Sequence, residues 1–284
     1  MKVGITIPNH WGVQDVHDVL ALAVEAEQLG FDSVWTMDHL LNIGRVRERL
    51  GASPYWHPLG VLSAVAVMTS RIELGTSVMV LPYHDPVGLA KYSATLDALS
   101  RGRFILGVGV GALREEFDAL GVPFRRRGAM TDESIAVMQD LWSNPLPGYH
   151  GGRFAFADMD FSPRPTKPAA LPVWIGGSSA AAIARTARTG NGWHPSGISP
   201  QEYGEGMNSL RHACEGNGRA LSDIALSARI GVDTSQEPNG TIIAALMTLL
   251  AQYRDVGVEH LVLALTSGDV LRLRIWAQAI AAAR

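Results

Sequence analysis

Short apolar runs rich in valine and isoleucine recur along this chain, each followed by a polar junction and then by residues at helical spacing. "VGITIP" at 3 to 8 leads to Asp15 and a segment with apolar Val16, Val19, Leu20, Ala23 and Val24, closed by Gly30. The same order repeats from runs at 33 to 38, 72 to 81, 103 to 111, 172 to 177, 190 to 196, 226 to 232 and 260 to 265. Runs that are apolar throughout, rather than alternating, belong to strands covered on both faces, the condition of a parallel sheet. Eight such units in 284 residues predict an α/β chain of one domain, 1 to 284, folded as a (β/α)8 TIM barrel. Pro and Gly punctuate two short alternating pieces between 144 and 171, which predicts a β-hairpin insertion before the fifth strand.

Composition narrows the partners. Lys and Arg total 24 against 27 Asp and Glu, a net charge of -3, with no basic stripe for nucleic acid. Arg71 and Glu73 interrupt the most apolar region, so no membrane span is expected. The single cysteine, Cys214, has no internal disulfide partner, and the apolar run in "MKVGITIPNH" ends early at Pro8, unlike a secretion signal. A cytoplasmic protein acting on a small molecule is the expectation.

Several motifs fail on their context. "GVGVGA" at 107 to 112 fits the dinucleotide pattern, but the acid-bearing second strand due about 20 residues later falls in the helical segment "RRRGAMTDESIAVMQDLW". The histidines include no H-x-H or H-E-x-x-H pattern, so no metal site is expected. "GTSVM" at 75 to 79 lacks the final glycine of a serine nucleophile elbow. Arg125, Arg126 and Arg127, beside Asp132 and Glu133, read as a solvated helix start with salt bridges.

In a (β/α)8 barrel chemistry sits at the carboxyl ends of the strands. Those ends carry Asn9 and His10; Asp38 and His39; Thr76, Ser77 and Val78; Gly109 and Gly111; Gly176, Gly177 and Ser178; and Trp193 with His194. His39 follows an acid directly, and an imidazole beside a carboxylate suits proton transfer. "VWIGGSSAAAIARTA" at 173 to 187 runs from strand to helix through two glycines, so backbone N–H groups and the positive helix end converge on a point suited to an anion; the alternative is that Ser178 or Ser179 only caps the helix, which needs no glycine pair.

Four segments together resemble the luciferase-like flavin and deazaflavin oxidoreductases: "LGFDSVWTMDHL" at 29 to 40, the stretch from "GTSVMVLPYHDP" to "GALREEFDALGV" at 75 to 122, "RRGAMTDESI" at 126 to 135, and "FSPRPTKPAALPVWIGG" at 161 to 177. "VGVGALREEF" followed by "ALGVPFRRRG" looks most like the branch that uses coenzyme F420, a deazaflavin hydride carrier. The resemblance implies a homodimer with the cofactor at the strand ends. It assigns Thr76, Ser77 and Val78 to a third-strand bulge that props the ring, often through a non-proline cis peptide. It puts Gly109, Val110 and Gly111 near the ring or its ribityl chain, Gly176, Gly177 and Ser178 at the cofactor phosphate, and Trp193 beside them. Asp38 and His39 match the pair facing the reacting edge. In the sugar-phosphate dehydrogenase branch a glutamate acting as proton donor follows the fourth-strand glycines; here Ala112 stands after Gly111, which shifts proton transfer toward His39, or onto a substrate group or water, and disfavours sugar phosphates.

The expected function is therefore F420-dependent hydride transfer to or from a small organic substrate, with His39 moving the proton and Asp38 holding it. Asn9, His10, Trp11 and His194 are the candidate substrate wall, and Arg45, Arg47 and Arg49 lie in a charged loop. Two alternatives stand beside this reading: an FMN-dependent monooxygenase that activates oxygen, and a non-catalytic flavin-binding protein.

Overall fold

The structure, a computed structural model, describes residues 1–166 and 171–284. Strands β1 (Lys2–Thr6), β2 (Ser33–Thr36), β3 (Glu73–Thr76), β4 (Met79–Val80), β5 (Phe104–Gly109), β8 (Val173–Gly176), β9 (Gly192–His194), β10 (Ala225–Val232) and β11 (His260–Leu265) form one parallel sheet. Its order is β3-β2-β1-β11-β10-β9-β8-β5, and a β3–β5 pairing closes it into the expected eight-stranded barrel, with β4 carrying β3 onward against β5. A separate antiparallel hairpin, β6 (Tyr149–His150) with β7 (Ala155–Phe156), lies in the insertion. Residues 167 to 170 of that insertion, within the "FSPRPTKPAALPVWIGG" segment, lie outside the described residues.

The helices begin where the sequence supplies caps. Helix α1 (Val16–Gln28) opens with the Asp15 side chain accepting from His17 N, and α4 (Pro86–Leu99) with Asp85 accepting from Gly88 N. In each case a carboxylate satisfies an N–H that the first turn leaves unpartnered. Helix α6 (Arg127–Ser143) occupies the segment where a dinucleotide fold would need its second strand. The salt bridges expected there are different ones: Asp132 binds Arg185 (2.8 Å) and Arg188 (2.7 Å) of α7 (Ala180–Thr189), while Arg127 stacks on Phe124 at 4.0 Å. The arginines of the supposed charged loop, Arg45, Arg47 and Arg49, belong to a short helix, α2 (Gly44–Leu50).

Closure of β3 on β5 is irregular. From Gly75 to Met79 the chain advances four residues while its partners advance three, from Ile105 to Val108. The extra residue makes a bulge at Ser77–Val78, which are joined by a cis peptide. Glycines surround it: a Cβ on Gly109 or Gly176 would fall 2.5 or 2.9 Å from Val78 methyls, and one on Gly107 would fall 1.8 Å from Thr76 O. These glycines make room for the bulge.

The inside of the barrel is aromatic and polar. Trp35, Ile105, Trp174 and Val262 form its apolar cluster. His194 stacks on Trp35 at 4.9 Å and bridges Ser77 Oγ (2.7 Å) and Ser227 Oγ (2.8 Å), while His260 binds Ser33 Oγ at 2.6 Å. The larger core packs between the strands and the helices.

Burial, reinforced by nearby cations, holds His10 and His194 well below the usual histidine range and brings His260 down to about 3. Unfolding exposes these rings, which then take up protons that the folded chain excludes. Stability is therefore full above about pH 6.5 and falls as the pH drops below it, the His260 contribution continuing to be lost down to about pH 3. Melting temperatures are expected to hold level from pH 8 to about 6.5 and to fall from there to pH 4, and a flat profile below pH 6.5 would contradict the neutral assignment of the three rings.

Candidate active site

Asn9 clasps the strand ends together. Its side-chain nitrogen donates to Met37 O and Trp56 O, both at 2.8 Å, and its oxygen accepts from Met37 N at 3.0 Å. Trp56 N in turn donates to Asn9 O at 2.8 Å. The fully buried Asn9 thus fixes the chain leaving β2 and the loop carrying Tyr55, and it belongs to the frame of the site instead of the substrate wall.

These loops border a cavity of about 560 Å³ at the carboxyl ends of the strands. Met37, Asp38 and His39 line it after β2, with Arg45 and Arg49 from α2 and Tyr55 beyond them. The bulge contributes Ser77 and Val78, the end of β5 Gly109 to Ala112, and the end of β8 Gly176 and Gly177. His194, Ser196 and Arg229 complete the wall. Thr76, Trp193, Asn9, His10 and Trp11 do not line it. Thr76 turns its hydroxyl to Gly107 O at 2.8 Å; Trp193 lies behind Gly177, donating to its carbonyl at 2.9 Å. Ser178 faces a different groove, between α7 and α8 (Pro200–Gly216).

His39 is oriented by a residue that sequence reasoning passed over. Its Nδ1 lies 2.5 Å from Glu116 Oε2, on α5 (Arg114–Ala119), so Nδ1–H donates to the carboxylate and Nε2 is left as the other ring nitrogen. Glu116 Oε1 accepts from Leu40 N (2.7 Å) and Leu41 N (3.0 Å). Burial alone would push this carboxyl up, but the hydrogen bond and charge of His39 and the two amides together hold it below its usual range. Asp38 does not hold His39. Its Oδ2 accepts from Val80 N (2.9 Å) and His84 Nε2 (2.7 Å), and its Oδ1 is buried without a partner among the described residues. Asp38 ties the segment after β2 to β4; the sequence neighbour of His39 is occupied elsewhere.

The glycines at the β8 end divide in role. Gly176 packs on Val78, while Gly177 has φ +102°, a conformation side chains rarely adopt. Ser179 caps α7, its hydroxyl accepting from Ala182 N, so the N–H groups of the first turn stand near Gly177. The arrangement suits an anion on one wall and a proton-moving imidazole on another.

A family model described as luciferase-like monooxygenase matches residues 1–264. The chain belongs to the luciferase-like monooxygenase family. This family member is 30% identical over 228 residues to an F420-dependent glucose-6-phosphate dehydrogenase of Amycolatopsis mediterranei, covering 78% of this chain and 66% of that protein. It is 36% identical over 222 residues to the protein so named in Beutenbergia cavernae, covering 76% and 63%. The luciferase-like chain thus spans slightly under two thirds of the length of these relatives. Its fold matches an F420-dependent secondary alcohol dehydrogenase in complex with an F420–acetone adduct, at TM-score 0.82 and 18% identity over 100% of this chain and 99% of that one.

Tyr55, Glu116 and Arg229 were not picked out from the sequence. Arg229 had a signal, a charge inside the apolar strand "LSARIGV". Glu116 had only half of one, since "REEF" offers two adjacent acids and spacing does not choose between them. Replacing Glu116 by Gln leaves an oxygen for the Leu40 and Leu41 amides but sets an amide N–H against His39 Nδ1–H in a buried position. This is expected to lower stability by about 1–3 kcal/mol, read by chemical denaturation; an unchanged midpoint would remove Glu116 from the orienting role.

Proposed function

We propose that the chain is an enzyme, a coenzyme F420-dependent oxidoreductase that moves a hydride between the deazaflavin and a small organic substrate. The observation that carries this reading is the His39–Glu116 pair at a strand-end cavity that is also lined by Gly177, two residues before the Ser179 cap of α7. The F420-dependent relatives support the choice of cofactor, since they match over about three quarters of the chain.

The residues present fit such a group. A volume of about 560 Å³ is within the range of cofactor sites. Gly177 has no Cβ to keep a phosphate from the helix end, and Asp38 Oδ1 is a buried acceptor still without a donor. Gly177 and α7 hold the phosphate in this reading, and Val78 with Gly109 to Gly111 support the ring. When bound, the deazaflavin supplies hydride chemistry.

The chain's own part is orientation and proton movement. Glu116 fixes the tautomer and plane of His39, leaving Nε2 to accept or release the proton that accompanies hydride transfer. His194, fixed between Ser77 and Ser227, holds the bulge from below. Thr76, Trp193 and Asn9 support the wall from behind, and His10 and Trp11 flank it. With Ala112 after Gly111 the reading does not extend to sugar phosphates. It includes a homodimer, a single domain over 1 to 284 and a reducing cytoplasm, the last in keeping with the buried free thiol of Cys214. Among the described residues no helix is long and apolar enough to cross a membrane.

Titrating the cofactor-free protein with F420 and with FMN, followed by fluorescence, tests the cofactor. Tight binding of F420 is expected; tight binding of FMN with no response to F420 would replace this reading by the oxygen-activating one. His39→Ala is expected to slow turnover by about 10²–10⁴ while leaving F420 affinity nearly unchanged, and an unaltered rate would end the proton-transfer role of His39.

A further inference from the structure

We propose that Tyr55 and Arg229 form a subsite for a ligand oxygen carrying full or partial negative charge. This rests on reading the cavity as the reaction chamber. Two sources present that chemistry, a carboxylate on the substrate and a ring carbonyl of the cofactor.

Both residues line the cavity and both have unused hydrogen-bonding capacity. The Tyr55 hydroxyl is buried and has no partner among the described residues. Such a group loses its bonds to water on folding and regains them only from a ligand or an ordered water. Burial, with the charge of Asp38 adding to it, pushes the phenol well above its usual range, so Tyr55 is a donor and not a base. Its ring meets that of His39 edge-on, with centroids 5.8 Å apart, which puts the subsite beside the proton-moving imidazole.

Arg229 projects from a strand whose buried positions are apolar apart from Ser227, the partner of His194. Its guanidinium donates to Ser77 O at 2.5 Å and Ser77 Oγ at 3.2 Å, and through Nε to Ser196 Oγ at 3.0 Å. All these partners are neutral oxygens, and a half-buried cation gains from an anion that they do not supply. The acids nearest the wall are engaged elsewhere, Glu116 with His39 and Asp38 with His84. Among the described residues no carboxylate pairs with Arg229, and its positive charge matches an anionic oxygen. Asp38 Oδ1, the unpartnered acceptor in the same wall, takes a ligand N–H or O–H, so the ligand presents a donor as well. The subsite is rigid before anything binds, because Asn9 clasps Trp56 next to Tyr55 and the bulge carbonyl fixes Arg229.

The test uses the whole chain and two probes: benzoate, added to cofactor-free and F420-loaded protein and followed by calorimetry, and F420 itself, followed by fluorescence. Tyr55→Phe removes one oxygen and keeps the ring; Arg229→Gln removes the charge, and Arg229→Lys restores it. For at least one probe, Tyr55→Phe is expected to weaken binding about fivefold and Arg229→Gln tenfold or more, with partial recovery in Arg229→Lys. Loss for benzoate alone assigns the oxygen to the substrate, and loss for F420 alone assigns it to the cofactor. Unchanged affinity for both probes in Tyr55→Phe and Arg229→Gln overturns the subsite, as does a wild-type protein that binds neither. Should Arg229→Gln fail to fold, Tyr55→Phe decides. Wild-type protein that binds benzoate through these residues but not F420 would leave the subsite standing and sink the proposed function; F420 binding in which neither substitution changes the affinity for F420 or for benzoate would do the reverse.

Discussion

Everything at the strand ends depends on how β3 closes against β5. A barrel shuts only if neighbouring strands keep their register, and here β3 carries one residue too many. The surplus is turned into the Ser77–Val78 bulge, whose valine is seated among Gly109 and Gly176, with Gly107 clearing the backbone of Thr76. Side chains at those glycines would collide with the bulge or its neighbours. The bulge in turn presents a carbonyl to Arg229 and a hydroxyl to His194, so a packing solution in the wall becomes part of the cavity lining.

Around that closure the chain spends its buried polar groups on position. Asn9 bonds two loops at once, Asp38 ties the segment after β2 to Val80 and His84, and Glu116 gathers His39 with the Leu40 and Leu41 amides. Each side chain is buried and hydrogen-bonded, so it resists displacement and holds a neighbour whose own orientation matters. The unused groups stand out against this background. Among the described residues Asp38 Oδ1 and the Tyr55 hydroxyl lack partners and Arg229 has only neutral ones, and all three residues line one cavity.

The strand positions were readable because period and covering leave a direct mark on a sequence: apolar runs buried on both faces, each followed by a capped helix. Even β9, short and glycine-bearing, fell inside its expected run. Strand ends were readable for the same reason, and Asp38, His39, Ser77, Val78, Gly109 to Gly111, Gly176, Gly177 and His194 do meet in the cavity. Adjacency misled the reading where it was taken as contact. Asp38 is next to His39 in the chain, yet its carboxylate bonds across to β4 and the loop beyond it.

The chain by itself determined the barrel and which of its ends bears the site, because hydrophobic periodicity and capping are local. Only the tertiary structure decided the partners. Glu116 lies 77 residues from His39 and Arg229 lies 152 from Ser77, and no spacing rule links them. Hydrogen bonds across a barrel are set by the register in which strands close, and by the loops that closure brings together. That register is a property of the whole sheet, which is why an acid one turn into a short helix, and not the neighbouring one, holds the histidine.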